Sequence, residues 1–451
     1  MPLTQKPVTA SRAVRPFLPA WALVLSFIAF VAILLAVKAF VIPEPYRDID
    51  FSSYWAAART AFVEKASPYG AGALQAARER SMPDRMEVPP FLYTPVALLA
   101  FGPLQWLEPL PAARALFALN LLALVAMMAF LVRTVGQGGS RRFAWTSAGY
   151  ILLFAPLYET ISAGQINLLL MLLVVGVWHV YRSGRAPAAG GLAAALVVFI
   201  KLHLGLLLLP VLLRRRVSLL VASTVSLILG VGLSAAVFSF DAWGGWLEHI
   251  VRASSVVQVP RGLPTIAGPM NLSIPGMTAR FLVQNPLFPT LAGPPWLASA
   301  VPSLLCALVL GWTAVVLWRS SRVPQTSELA SAELCLALGA AFELSPLSWG
   351  HHLVFLLPAL LLLLRHAVLE PGASPTARAV LAFLIVLLPL NPFVFGPLSP
   401  PVSLAVATLR SLAAIVVWAV TSARVLRLAR AQAPEEAAPS GDALLSAPPS
   451  P

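Results

Sequence analysis

Charged residues are scarce in this chain: Asp, Glu, Lys and Arg together make up 11% of its 451 residues, against roughly a quarter in an ordinary soluble domain. That shortage excludes a globule solvated by water on all sides. Cysteine is nearly missing as well. The two present, Cys306 and Cys335, both lie inside apolar runs; a thiol there acts as a small buried hydrophobe, so no disulfide is expected and the pair says nothing of redox compartment. The chain has neither a G-x-x-x-x-G-K-[ST] loop nor an H-E-x-x-H motif, which removes the usual backbone cradle for nucleotide phosphates and the helical zinc site of metallopeptidases. No internal repeat stands out.

What fills the sequence instead is apolar: 59% of the chain, with a mean hydropathy of +0.82. A spanning helix needs about 20 such residues, and apolar runs recur at 21–42, 112–132, 144–161, 164–181, 188–200, 203–213, 217–239, 297–318, 329–345, 352–364, 379–396 and 402–422. Threaded alternately outward and inward from a cytoplasmic N-terminus, they leave Arg133, Arg182, Arg214, Arg215, Arg216, Arg319, Arg365 and Arg424 on the cytoplasmic side. The net charge of +13 is then the positive-inside pattern and not the footprint of a nucleic-acid partner. The predicted fold is an all-α polytopic membrane protein of about 12 transmembrane helices. One domain covers 21–430, with long extracytoplasmic loops at 43–111 and 240–296, a cytoplasmic tail at 1–20 and an Ala/Pro/Ser-rich tail at 431–451 that is expected to be disordered. The first run is too long for a signal-peptide core and lacks a small-x-small cleavage site, so it is expected to remain as a helix.

The runs 188–200 and 203–213 would each cover only about 20 Å at 1.5 Å per residue, so they are read as a broken hairpin around Lys201. One continuous helix, the alternative, would place Arg214, Arg215 and Arg216 outside. Non-helical backbone at membrane depth is tolerated only where protein buries it or it lines a wet cavity, which makes the break a candidate site marker. The stretch 95–107, apolar but punctuated by Pro95, Gly102 and Pro103, is assigned to a re-entrant or interfacial element. Under this threading the polar residues that interrupt apolar sequence gather near the outer face: Asp48 and Asp50; Glu159, Gln165 and Asn167; Lys201 and His203; Glu343, Trp349, His351 and His352. Ionisable groups at such depth are costly and mark functional sites by default. Carboxylates, a lysine and histidines beside aromatics suit proton abstraction opposite an anionic leaving group, and an outer-facing cavity favours a lipid-linked activated sugar over a nucleotide one.

Four blocks carry a resemblance. The first is DIDFSSYWAAARTAFVEKASPYG from Asp48; the second is FLYTPVALLAFGPLQWL from Phe91, continuing to Asn120. The third runs from GQINLLLMLLVVGVW to VVFIKLHLGLLLLPVLLRRR, with Leu202 and His203 after Lys201 where the family pattern often has proline; the fourth comprises NLSIPGMTARFL and ELSPLSWGHHLVFLLPALLLLL. In this order they resemble the glycosyltransferase family 87 membrane enzymes of the C-type (GT-C) class, which includes polyprenol-phosphate-mannose-dependent alpha-mannosyltransferases. The resemblance covers roughly residues 48–364 and is more specific than any one block. It implies a GT-C-like bundle in a bacterial cell membrane and an inverting transfer of a sugar, mannose foremost, from a polyprenyl-phosphate donor to a lipid or glycan hydroxyl on the extracytoplasmic face. It also implies Asp50 as general base with Asp48 in reserve, and a functional histidine at His351 or His352. No metal and no other cofactor is called for.

Lys201, His351, His352, Arg261 and Arg280 are the candidate contacts for the donor phosphate, and Tyr54, Gln165, Asn167 and Trp349 for sugar or acceptor. Adjacent histidines on a helix point about 100° apart and do not chelate one metal as an i, i+4 pair does. Plainer readings stand beside these. Asp50 caps a helix that begins near Ser52, Lys201 snorkels to the interface, and the histidines bond neighbouring helices. The arginines bind anionic head groups, the amides satisfy broken-helix backbone, and the aromatics belong to an interfacial belt. A transporter or flippase of lipid-linked sugars is the competing function; it calls for repeat symmetry and for ionisable groups on both sides of the midplane, and the sequence offers neither.

Overall fold

A computed structural model describes residues 49–69, 88–135, 141–255, 266–285, 296–369, 374–388 and 399–432, with a few single positions between them. The first apolar run, Asp48, Arg261 and the tail from 433 onward lie outside the described residues. Within them the chain is helical throughout, and the sole β-type pairing is an isolated antiparallel bridge between Asn271 and Trp349.

The helices are α1 (Ile49–Phe62), α2 (Pro95–Phe101), α3 (Pro109–Val135), α4 (Arg141–Leu153), α5 (Ala155–Ser162), α6 (Asn167–Ser183), α7 (Pro187–Ile200) and α8 (Leu208–Leu213). They continue as α9 (Val217–Phe238), α10 (Asp241–Ala253), α11 (Ile274–Leu282), α12 (Leu297–Ser320), α13 (Ser327–Leu344), α14 (Leu357–Leu369), α15 (Pro375–Leu387) and α16 (Pro400–Arg430). Short 3-10 helices at Gly102–Trp106, Leu202–Leu207 and Gly350–Leu356 lead out of α2 and into α8 and α14. Five segments among the described residues are long and apolar enough to cross a membrane: Pro109–Val135, Val217–Phe238, Leu297–Ser320, Gly350–Ala367 and Pro400–Arg430. The chain is therefore an all-α membrane protein.

Helix α3 shows why hydropathy rather than amphipathicity marks these elements. Ala112, Leu116, Asn120, Leu124, Met127 and Leu131, at spacings of three and four, are buried in the bundle, yet the opposite face exposes Leu119, Leu122 and Val125. A helix apolar on both faces is solvated by protein on one side and lipid on the other. Where helices approach closely, glycine permits it. A Cβ on Gly191 of α7 would lie 2.5 Å from the backbone of Ala222 in α9, and one on Gly190 would lie 2.8 Å from Val180 of α6.

The main core gathers α3 to α7 with α13 to α16, and α13 is buried along nearly its whole length. A second cluster, built on Phe51, Tyr54, Trp55, Phe91, Leu98 and Trp246, seats α1, α2 and the start of α3 at one end of the bundle. The expected break at Lys201 is present, with extended backbone there (φ −138°, ψ 95°) between α7 and the following 3-10 helix. Pro346 makes another break after α13, since a residue before proline is driven out of the helical region and Ser345 takes ψ 133°. The run 144–161 is likewise interrupted, at Phe154 (ψ 95°), before Pro156 opens α5.

Candidate active site

The breaks at Lys201 and Pro346 and the start of α1 meet around one cavity of about 290 Å³. Its polar end is formed by Asp50, Tyr54, Tyr93, Gln165, Lys201, His203 and His352, and Trp349 also lines it. The remaining wall is largely apolar, with Phe199, Ile200, Leu202, Trp246, Ile250 and Leu347.

Each polar group is held by a neighbouring element. Asp50 stands in the first turn of α1, where the helix dipole favours a carboxylate, and its backbone N–H donates to the carbonyl of Ala163 at 3.2 Å. One turn on, the hydroxyl of Tyr54 donates to Oε1 of Gln165 at 2.7 Å and lies 2.9 Å from that of Tyr93. Gln165 is pinned in turn, since its carbonyl accepts Nδ2 of Asn120 at 2.8 Å. Burial raises the phenols of Tyr54 and Tyr93 well above their ordinary values, and the negative charge of Asp50 pushes both the same way. Both remain neutral hydrogen-bond donors. Tyr69 donates to the carbonyl of Tyr93 at 2.8 Å, and Trp246 to that of Leu92 at 3.2 Å, so the strand-like segment before α2 is fastened from both sides.

On the same lining, Nζ of Lys201 lies 2.7 Å from Nε2 of His352. The other ring nitrogen, Nδ1, accepts the backbone N–H of Trp349 at 3.2 Å. With Nδ1 accepting, Nε2 is the position left for the proton of a neutral imidazole, which it can donate only to an uncharged amine; donor and acceptor roles in the contact with Lys201 follow that tautomer. An anion brought beside such a pair favours its charged form.

The ring of His351 stands edge-on to that of His352, with centroids 4.4 Å apart. The carbonyl of His351 accepts Oγ1 of Thr160 at 3.2 Å and Nδ2 of Asn167 at 3.4 Å, which ties the 3-10 turn Gly350–Leu356 to α5 and α6. The segment before α11 supports the same turn: Oδ1 of Asn271 accepts the N–H of Ser348 at 2.9 Å, its Nδ2 donates to the carbonyl of Pro346 at 2.8 Å, and Leu272 N–H donates to the carbonyl of Ser348 at 2.7 Å.

Of the candidates named from sequence, Asp50, Tyr54, Gln165, Lys201, Trp349 and His352 line the cavity together. Asn167 and His351 stand behind it. Arg280 is elsewhere: fully buried, it donates to the carbonyls of Gly268, Asn271 and Ala407 and to the hydroxyl of Ser411, bracketing the segment before α11 against α16. Asp48 and Arg261 fall outside the described residues. Glu343 is wholly buried in α13 and away from the lining. Two contributors went unread in the sequence. One is α10, whose Trp246 and Ile250 wall the cavity, and whose period is hidden inside a long loop. The other is Arg410, fully buried in α16 next to Glu159; an arginine in the middle of an apolar run was its signal.

The sequence model of glycosyltransferase family 87 matches residues 91–346. Among curated proteins, the chain is similar to the polyprenol-phosphate-mannose-dependent alpha-(1-2)-phosphatidylinositol mannoside mannosyltransferase of Mycobacterium tuberculosis, at 28% identity over 71% of this chain and 70% of that protein. It is 29% identical to the protein of the same description from Mycolicibacterium smegmatis, over 60% of this chain and 61% of that one. An alpha-(1->3)-arabinofuranosyltransferase of Corynebacterium glutamicum is 31% identical over 43% and 44%. No solved structure matches the chain.

Proposed function

The chain belongs to glycosyltransferase family 87 and is a membrane glycosyltransferase, and from that premise we propose that it moves a mannosyl group from a polyprenyl-phosphate donor to a hydroxyl of a lipid or glycan acceptor on the extracytoplasmic face, with inversion and with Asp50 as general base. The observation that carries this reading is the two-sided cavity: a carboxylate, a lysine and an imidazole meet at its polar end, while the rest of its wall is largely apolar. Such a wall suits a substrate that arrives on an isoprenoid chain.

In the proposed step the acceptor oxygen attacks the anomeric carbon as the bond from that carbon to the phosphate oxygen breaks. The hydroxyl proton passes to the carboxylate of Asp50, and the bonding pair leaves with polyprenyl phosphate. Positioned donors aimed at developing charge are where catalysis gains most, and Lys201 with His352 shares the polar lining with Asp50, available to meet that phosphate. Tyr54 and Gln165, locked together by their own hydrogen bond, are placed to orient sugar hydroxyls. Inversion to an alpha product, the linkage in the names of the mannosyltransferase relatives, requires a beta-linked donor.

The test is transfer by membranes supplied with radiolabelled polyprenyl-phosphate mannose. Loss of a positioned base typically costs about a hundred- to ten-thousand-fold, so Asp50→Asn is expected to lower incorporation by at least a hundredfold at unchanged protein level. Equal incorporation by variant and parent would remove Asp50 from the role, and no incorporation by the parent would remove mannose as the sugar.

A further inference from the structure

Helix α10 has three distinct faces. At 3.6 residues per turn, or about 100° per residue, Phe240, Leu247 and Val251 fall within roughly 40° of one another. All three are large, apolar and exposed, at 72%, 55% and 63%. Trp246, Ile250 and Ala253 point to a second side and line the active cavity. Glu248 and Arg252 form an exposed i, i+4 ion pair on the third. The faces lie roughly a third of a turn apart, a pattern that fits protein, lipid and water each claiming one of them.

The position of the helix says which is which. α9 spans Val217–Phe238, and α10 begins at Asp241, so its start lies within a few residues of the end of a membrane-crossing helix. The exposed apolar residues of α9, Ile228, Leu229, Leu233 and Val237, lead directly into Phe240. The lipid-facing surface therefore continues from one helix onto the next. Trp243 fixes the bend by donating from Nε1 to Oγ of Ser234 in α9 at 3.1 Å. Leu202, which lines the cavity and is 51% exposed, carries apolar surface to the cavity itself.

We infer that α10 lies in the lipid–water boundary as an interfacial helix, with Phe240, Leu247 and Val251 immersed among acyl chains and its opposite face closing the active cavity, so that a lipid-borne substrate passes from the bilayer to the cavity beside it. The first half is independent of the proposed function; the passage of substrate rests on it. The occupant of the exposed stripe is the hydrocarbon of the adjoining leaflet.

Two measurements separate the parts. In a Cys306→Ser background, a bimane fluorophore attached at Val251→Cys or at Glu248→Cys is read in vesicles whose acyl chains carry bromine. Strong quenching at 251, severalfold above that at 248, is expected; equal quenching, or the reverse order, overturns the interfacial placement whatever reaction the protein catalyses. The double variant Leu247→Lys/Val251→Lys is then assayed with a long-chain polyprenyl-phosphate mannose in the bilayer and with a two-isoprene analogue dispersed in water. At least a tenfold loss on the long donor with the short one spared is expected. Equal loss, or none, on both sinks lateral passage, whereas a parent inactive on both donors counts against the proposed donor and leaves the quenching result standing.

Discussion

A β-carbon on residue 350 would overlap the carboxylate of Glu159 and lie 3.4 Å from Nη2 of Arg410, so glycine lets the turn that carries His351 and His352 settle against the Glu159 side chain of α5. The contact matters because the same turn sets the 2.7 Å approach of His352 to Lys201. A methyl group there must displace either the Glu159 carboxylate or the turn itself, and displacements of about 1 Å in a catalytic constellation cost on the order of a hundredfold. Gly350→Ala is expected to lower the transfer rate ten- to a hundredfold while the protein still purifies as a monodisperse species; initial rates beside size-exclusion profiles check it, and an unchanged rate would free the turn from this role. At this scale the sequence was legible in part. Asp50, Lys201 and His352 could be read because an ionisable residue inside apolar sequence has few reasons to be there. Which histidine meets the lysine could not, because it depends on Trp349 N–H claiming Nδ1. The bracket made by Arg280 was equally hidden, since backbone carbonyls that accept from a side chain leave no mark on composition.

Helix α13 joins two kinds of burial. Toward its N-terminal half, Glu333 accepts from Nε and Nη2 of Arg214 at 3.1 and 2.5 Å, from Tyr181 at 2.6 Å, from Ser320 at 2.8 Å and from Gln325 at 3.0 Å. One carboxylate thus ties α13 to the ends of α6, α8 and α12. Removing one partner of a buried pair strands the other and costs about 3–5 kcal/mol, whereas Gln keeps several of these hydrogen bonds. Glu333→Ala is accordingly expected to melt well below the parent in detergent, with Glu333→Gln between them. Because Glu333 lies ten residues from Glu343 at the cavity end of the helix, about 15 Å at the α-helical rise, transfer below the melting range is expected to be retained. Loss of rate without loss of melting temperature would contradict the assignment as a clamp. Helices of this sort were legible from hydropathy, and so was the break at Lys201. α10 was not, because its apolar residues are split between two faces, and the interruption at Phe154 was missed although Pro156 signalled it.

Across the whole molecule, the clamp and the cavity occupy opposite ends of the same helices. α6 runs from Asn167, behind the cavity, to Ser183 beside the arginines at 182 and 185; α13 runs from the Glu333 end to Glu343. The arginines at 214, 215, 216, 319 and 322 share the clamp's end. Short loops rich in arginine are retained in the cytoplasm, which supports the proposed placement of the cavity on the opposite side, where the proposed donor is a lipid-linked sugar rather than a nucleotide sugar. Cysteine accessibility tests that orientation directly. In a Cys306→Ser background, an impermeant maleimide applied to spheroplasts is expected to label Glu248→Cys, exposed on α10, and to spare Ser183→Cys, exposed at the turn after α6, until the membrane is opened. The inverse pattern would turn the cavity toward the cytoplasm and with it remove the reason for a polyprenyl carrier, since charge placement, and not the chemistry of Asp50 or Lys201, is what distinguishes the two faces.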